Sequence, residues 1–102
     1  MNTLTALVAS TFLLLISGAV GARDISPEEA ATLRAAGSIQ SFEQLNAAVI
    51  AKHPGATIND TKLDEKYGKH IYQVELTDAQ GVAWDVDVDA VTGKVFRDHQ
   101  DR

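Results

Sequence analysis

Asp85, Asp87 and Asp89 occupy every second position of Trp84-Asp-Val-Asp-Val-Asp89, just ahead of Thr92-Gly93. Carboxylates grouped in this way suit metal ligation, acid–base catalysis or recognition of a positively charged partner. Calcium requires six or more oxygens from a loop wrapped around the ion. The spacing copies the D-x-D-x-D opening of such a loop, but Ala90 stands where glycine is needed and Phe96 where the bidentate glutamate belongs. On a strand, alternate side chains stand about 6.5–7 Å apart along one face, too far for three carboxylates to share an ion. Acid–base catalysis needs one carboxyl pKa raised by burial or by a close like charge. A solvated row supplies neither, and Lys94 and Arg97 on the following strand are placed to offset its charge. The expectation is a solvated sheet face, with Asp85 and Asp87 either solvated or facing a partner. Asp89 differs, because an aspartate at a turn start accepts backbone N–H groups and fixes the reversal.

The remaining reactive side chains form no constellation. His53, His70 and His99 fall at a helix end, a strand start and a polar tail, and no two share an i, i+4 ligand spacing. The chain has no cysteine, no serine in a G-x-S-x-G setting and no glycine-rich phosphate loop. No catalytic, cofactor-binding or metal residue is assigned, and the chain is not expected to be an enzyme. Asn59-Asp60-Thr61 matches a glycosylation sequon, a pattern too short to carry weight. Trp84 lies in phase with Val82, Val86 and Val88, which makes it a core residue before a ligand platform.

These residues need a scaffold, and the chain divides at Ala22. Residues 1–22 carry no charged side chain, are apolar from Leu4 to Val20 and end in Val20-Gly21-Ala22. The pattern predicts an export leader cleaved after Ala22 and a periplasmic or secreted product. An uncleaved membrane anchor is the alternative. Residues 23–102 have the length of one domain. All 9 basic and 14 acidic residues lie there, for a formal charge of −5. That surplus argues against nucleic acid and against anionic membrane surfaces, leaving membrane contact only through an uncleaved leader.

Ser26-Pro27-Glu28-Glu29 opens a helix over residues 27–36 that stops at Gly37. Leu33 is its only large apolar residue, so it belongs at the domain edge. Ser41 and Gln44 open a second helix over residues 42–53, with Phe42, Leu45 and Val49 on one stripe. His53-Pro54-Gly55 ends it. After that the period falls to two. Residues 56–65 form a weak strand, residues 70–77 and 82–89 alternate cleanly, and a last strand runs from Lys94 to Arg97. Residues 98–102 read as a frayed polar tail. The expected fold is α+β: two short helices, then an antiparallel meander of three to four strands with the main helix packed on one face.

Tyr72-Gln-Val-Glu-Leu, Asp78-Ala-Gln-Gly81 and Val88-Asp-Ala-Val-Thr-Gly-Lys-Val95 occur in that order. Together they resemble the PepSY domain family, whose signature is Y-x-V-x-(apolar), D-x-x-G and V-D-A-x-T-G-x-V. The resemblance covers residues 39–97, leaving residues 23–38 as a separate helical segment. It implies a helix on an antiparallel sheet in exported or membrane-tethered bacterial proteins. Members occur in propeptides of secreted metallopeptidases and are thought to restrain peptidase activity. No catalytic residue or cofactor comes with it, and Tyr72, Gly81, Asp89, Ala90, Thr92 and Gly93 carry over as architectural positions. The expected role is a non-catalytic periplasmic module that binds a protein partner, a peptidase or envelope protein, with restraint of an exported peptidase in trans as the expected effect. The alternative is an acidic envelope protein that binds cations or cationic peptides through Asp85 and Asp87.

Overall fold

The computed structural model describes residues 23–101. The leader expected over residues 1–22, with its cleavage after Ala22, lies outside the described residues. Helix α1 spans Pro27–Ala35. Ser26 Oγ accepts the Glu29 N–H at 3.1 Å, and Pro27 loses nothing at a position whose N–H has no helical partner. Gly37, at φ 75°, lets the chain reverse so that the Ser38 N–H returns to the Leu33 carbonyl at 2.9 Å. Helix α2 spans Phe42–Lys52 and opens on a full capping box between Ser41 and Gln44.

The sheet has five antiparallel strands in sequence order, β1 (Arg23–Asp24), β2 (Thr57–Lys66), β3 (Lys69–Thr77), β4 (Ala83–Asp89) and β5 (Val95–Gln100). This is one strand more than the meander of three to four expected from sequence. Strand β1 is two residues long and has no periodicity to detect. It is held by pairing with Asp64 and Glu65 and by the Arg23 guanidinium, which bridges Glu29 and Glu65.

The end of the chain also departs from expectation. Residues 98–100 are not a frayed tail but continue β5, with Gln100 opposite Trp84 and the Asp101 N–H donating to the Ala83 carbonyl at 2.8 Å. Ladder hydrogen bonds are indifferent to side-chain polarity, so a strand solvated on both faces leaves no alternating signal.

Both helices lie on one face of the sheet, called inner here. Leu45 and Val49 of α2 are fully buried with Val74, Leu76, Val86 and Val88. The Phe42 ring stacks on Tyr72 with centroids 5.0 Å apart. Truncating a side chain in such a setting, Leu45→Ala for example, costs about 2–5 kcal/mol. Helix α1 adds only Ala30 as a buried residue, with Leu33 partly packed, so it joins the domain at its edge as expected. Every residue of the core cluster falls between Ile25 and Val95.

Candidate functional site

No described helix covers the opposite, outer face of the sheet. Across its middle, Gln73 faces Asp87 and Glu75 faces Asp85 between β3 and β4. Asp87 in turn faces Arg97, and Asp85 faces His99, between β4 and β5. These side chains line an open groove of about 200 Å³. The structure therefore sets Asp85 and Asp87 side by side, as the alternation predicts.

Their environment differs from the solvated row expected from sequence. Both are half-buried, and burial pushes the Asp87 carboxyl above the usual aspartate range, against the opposing pull of Arg97. The Arg97 guanidinium stands 3.9 Å from Asp87 Oδ2, while its Nε–H donates to His99 Nδ1 at 3.1 Å. Lys94 makes no ion pair with the row among the described residues. Nor do three His, Asp or Glu side chains converge there as metal ligands would.

Asp89 belongs to a different structure, the turn after β4. Its Oδ1 accepts the N–H groups of Val91 and Thr92 at 2.8 and 3.2 Å. Thr92 Oγ1 accepts the Lys94 N–H, and Gly93 takes φ 80°. Ala90 is fully buried. Its N–H donates to the His70 carbonyl, and its carbonyl accepts the Gln40 N–H at 2.8 Å. The Gln40 side chain closes over the turn, and a Cβ on Gly93 would stand 2.9 Å from its Oε1. The turn thus clamps the α1–α2 connection onto the sheet. Tyr72 is a core residue whose hydroxyl donates to Asn46 on α2 at 2.7 Å, and burial raises its pKa. Gly81 turns the chain between β3 and β4 at φ 84°.

Sequence reasoning missed one cluster. The His53 ring lies 4.6 Å from the Trp84 ring, and its Nε2 lies 2.8 Å from Asp98 Oδ1. The Trp84 indole N–H donates to Asp78 Oδ2 at 2.9 Å. Asp78 Oδ1 also accepts the N–H groups of Gln80 and Val82. Together the Val82 N–H, the indole and the Gln80 N–H hold this carboxyl below the usual range. Trp84 is consequently only half-buried and sits at the rim of the core. The signal available in sequence was a tryptophan whose polar edge needs an acceptor, with an aspartate six residues before it.

The order of elements, the Asp89–Gly93 turn and the helix-on-sheet packing now stand together. The family model described as "Peptidase propeptide and YPEB domain" matches residues 39–99. The chain belongs to the PepSY family. A PepSY domain is a peptidase-propeptide type of module. In this PepSY domain the match runs to His99, past the boundary at Arg97 expected from sequence, and takes in most of β5. Neither the curated proteins nor the solved structures gave a match.

Proposed function

We propose that this chain is a non-catalytic binding module of the exported compartment that restrains a peptidase in trans through the outer face of its sheet. The observation that carries this reading is the groove between β3, β4 and β5. Both helices are spent on the inner face, which leaves Glu75, Asp85 and Asp87 on a sheet face that no described element covers. Half-buried carboxylates gain most when a partner supplies the missing cation or donor. The export assignment rests on residues 1–22.

The test is to express the chain from its full sequence and use the purified product as bait in an envelope extract. A peptidase captured by wild type and lost with the D85A/D87A variant supports the reading. No specific capture, together with no effect on secreted proteolysis, overturns it.

The same groove supports a second reading, cations or cationic peptides held at Asp85 and Asp87, because three carboxylates there face one guanidinium. Titration with calcium, magnesium or a cationic peptide separates the two readings. This one requires the amide signals of Asp85 and Asp87 to move.

A further inference from the structure

The outer face has a second region, at the β2–β3 hairpin end, with the opposite charge. Lys66, Lys69 and Lys94 surround Tyr67, Ile71 and Phe96 there, around a hollow of about 460 Å³. That is more than twice the acidic groove and lies within the size range of peptide and small-ligand pockets. Ile71 forms the buried floor, while Tyr67 is 79% and Phe96 50% exposed. Contiguous exposed apolar surface rimmed by polar residues marks a contact surface.

Two separate backbone irregularities put those rings there. Tyr67 and Gly68 form a two-residue hairpin between the paired Lys66 and Lys69, both at positive φ, 54° and 77°. Such a turn favours Asn-Gly, and a bulky residue in the left-handed region is strained. On β5, the register passes from Arg97 opposite Asp87 to Val95 opposite Val88, leaving Phe96 as the extra, unpaired residue of a bulge. Bulges re-aim side chains, and this one leaves Phe96 exposed beside the hollow. Local stability is given up at one position and the ladder broken at another, and both rings flank the same hollow.

The charges indicate what fits. None of the three lysines makes an ion pair among the described residues. Asp89, the one acid on the rim, has its Oδ1 occupied by the turn N–H groups. Extended polyanions such as nucleic acid or an anionic bilayer meet the net charge of −5 and the acidic groove alongside. A short segment with a few carboxylates does not extend that far.

We infer that this patch binds an extended acidic peptide segment, with an aromatic or aliphatic side chain seated over Ile71 between Tyr67 and Phe96 and its carboxylates against Lys69 and Lys94. The inference rests on the protein-binding reading but uses a different surface from the acidic groove.

The experiment takes the chain expressed from its full sequence and titrates it with N-acetyl Glu-Glu-Phe-Leu-Glu-Glu and with the same peptide carrying lysine for glutamate. Readouts are amide shifts by NMR, the salt dependence of binding, and sedimentation for self-association. Expected are saturable shifts at residues 66–71 and 94–96 with the acidic peptide only, weakened by added salt. K69E/K94E should weaken binding by about tenfold or more, corresponding to roughly 1.4 kcal/mol. Y67N, which suits the turn and so preserves the fold, should weaken it about fivefold, through the lost ring alone. D85A/D87A should bind the peptide as wild type does, so loss of peptidase capture and loss of peptide binding are separate results. Absent shifts, equal affinity for both peptides, or self-association through this patch in place of peptide binding overturns the inference.

Discussion

His53, at the end of α2, and Asp98, on β5, meet at 2.8 Å although 45 residues separate them. Their side chains are 11% and 26% exposed, and the imidazole also packs on Trp84. The pair therefore joins the helix terminus to the last strand. Either H53A or D98A should lose about 1–2 kcal/mol in urea unfolding followed by Trp84 emission. D98N retains an acceptor oxygen and should lose less. A loss of under about 0.5 kcal/mol in both alanine variants would mean that solvent screens the contact as it does a surface pair.

Tyr67 holds φ 54° in a turn where asparagine is at ease. Y67N should therefore stabilise the chain by about 0.5–1 kcal/mol, measured as a higher denaturant midpoint at unchanged slope. If the midpoint falls, the ring contributes more to the folded state than the strained backbone removes.

Asp64 is 6% exposed and its Oδ1 has no hydrogen-bond partner. Burial raises its pKa, and the neighbouring Asp24 carboxyl raises it further. A carboxyl raised in the folded state binds protons more tightly there than when unfolded. Its favourable contribution is thus complete below the unfolded pKa, about 3.9 for aspartate, and is lost as pH rises through the folded value. D64N removes that loss. The variant should unfold later than wild type at pH 7, and the difference should vanish below about pH 4, in parallel denaturation series.

Asp78 carries the opposite sign. Its pKa is depressed by the Val82 N–H, the Trp84 indole and the Gln80 N–H. The stabilisation is present above the unfolded pKa and disappears as pH falls through the lower folded value. Trp84 is the only tryptophan, so its emission should hold steady through the ordinary aspartate range and shift only at lower pH. D78N should abolish that late step. An emission change centred near pH 3.9, the unperturbed aspartate value, would show that the carboxyl does not anchor the indole.

Much of the fold was legible because the sequence is locally consistent. Ser41 with Gln44, the Phe42–Leu45–Val49 stripe and the period-two run from Trp84 to Val88 each name their element without reference to the rest. Strand β2 was faint because Thr57–Lys66 has few apolar residues, and Asn59 falls at a register shift that breaks its alternation. Strand β1 and the end of β5 were illegible for a related reason. They form because partner strands satisfy their backbone groups, and backbone groups carry no residue code.

The candidate surfaces divided along the same line. Asp85 and Asp87 were assigned to one face by parity alone, since side chains alternate whatever surrounds them. Which of them is desolvated was not in the sequence, because the burial of Asp87 depends on neighbours from β3 and β5. By itself the sequence determined helix starts, strand phase and the Asp89–Gly93 turn, all set by interactions within a few residues. The tertiary structure alone decided that His53 meets Asp98, that Trp84 leans on Asp78 at the rim of the core, and that Tyr67 and Phe96 flank one hollow among three lysines. Those relationships depend on strand register and a bulge, which settle only when distant segments pair.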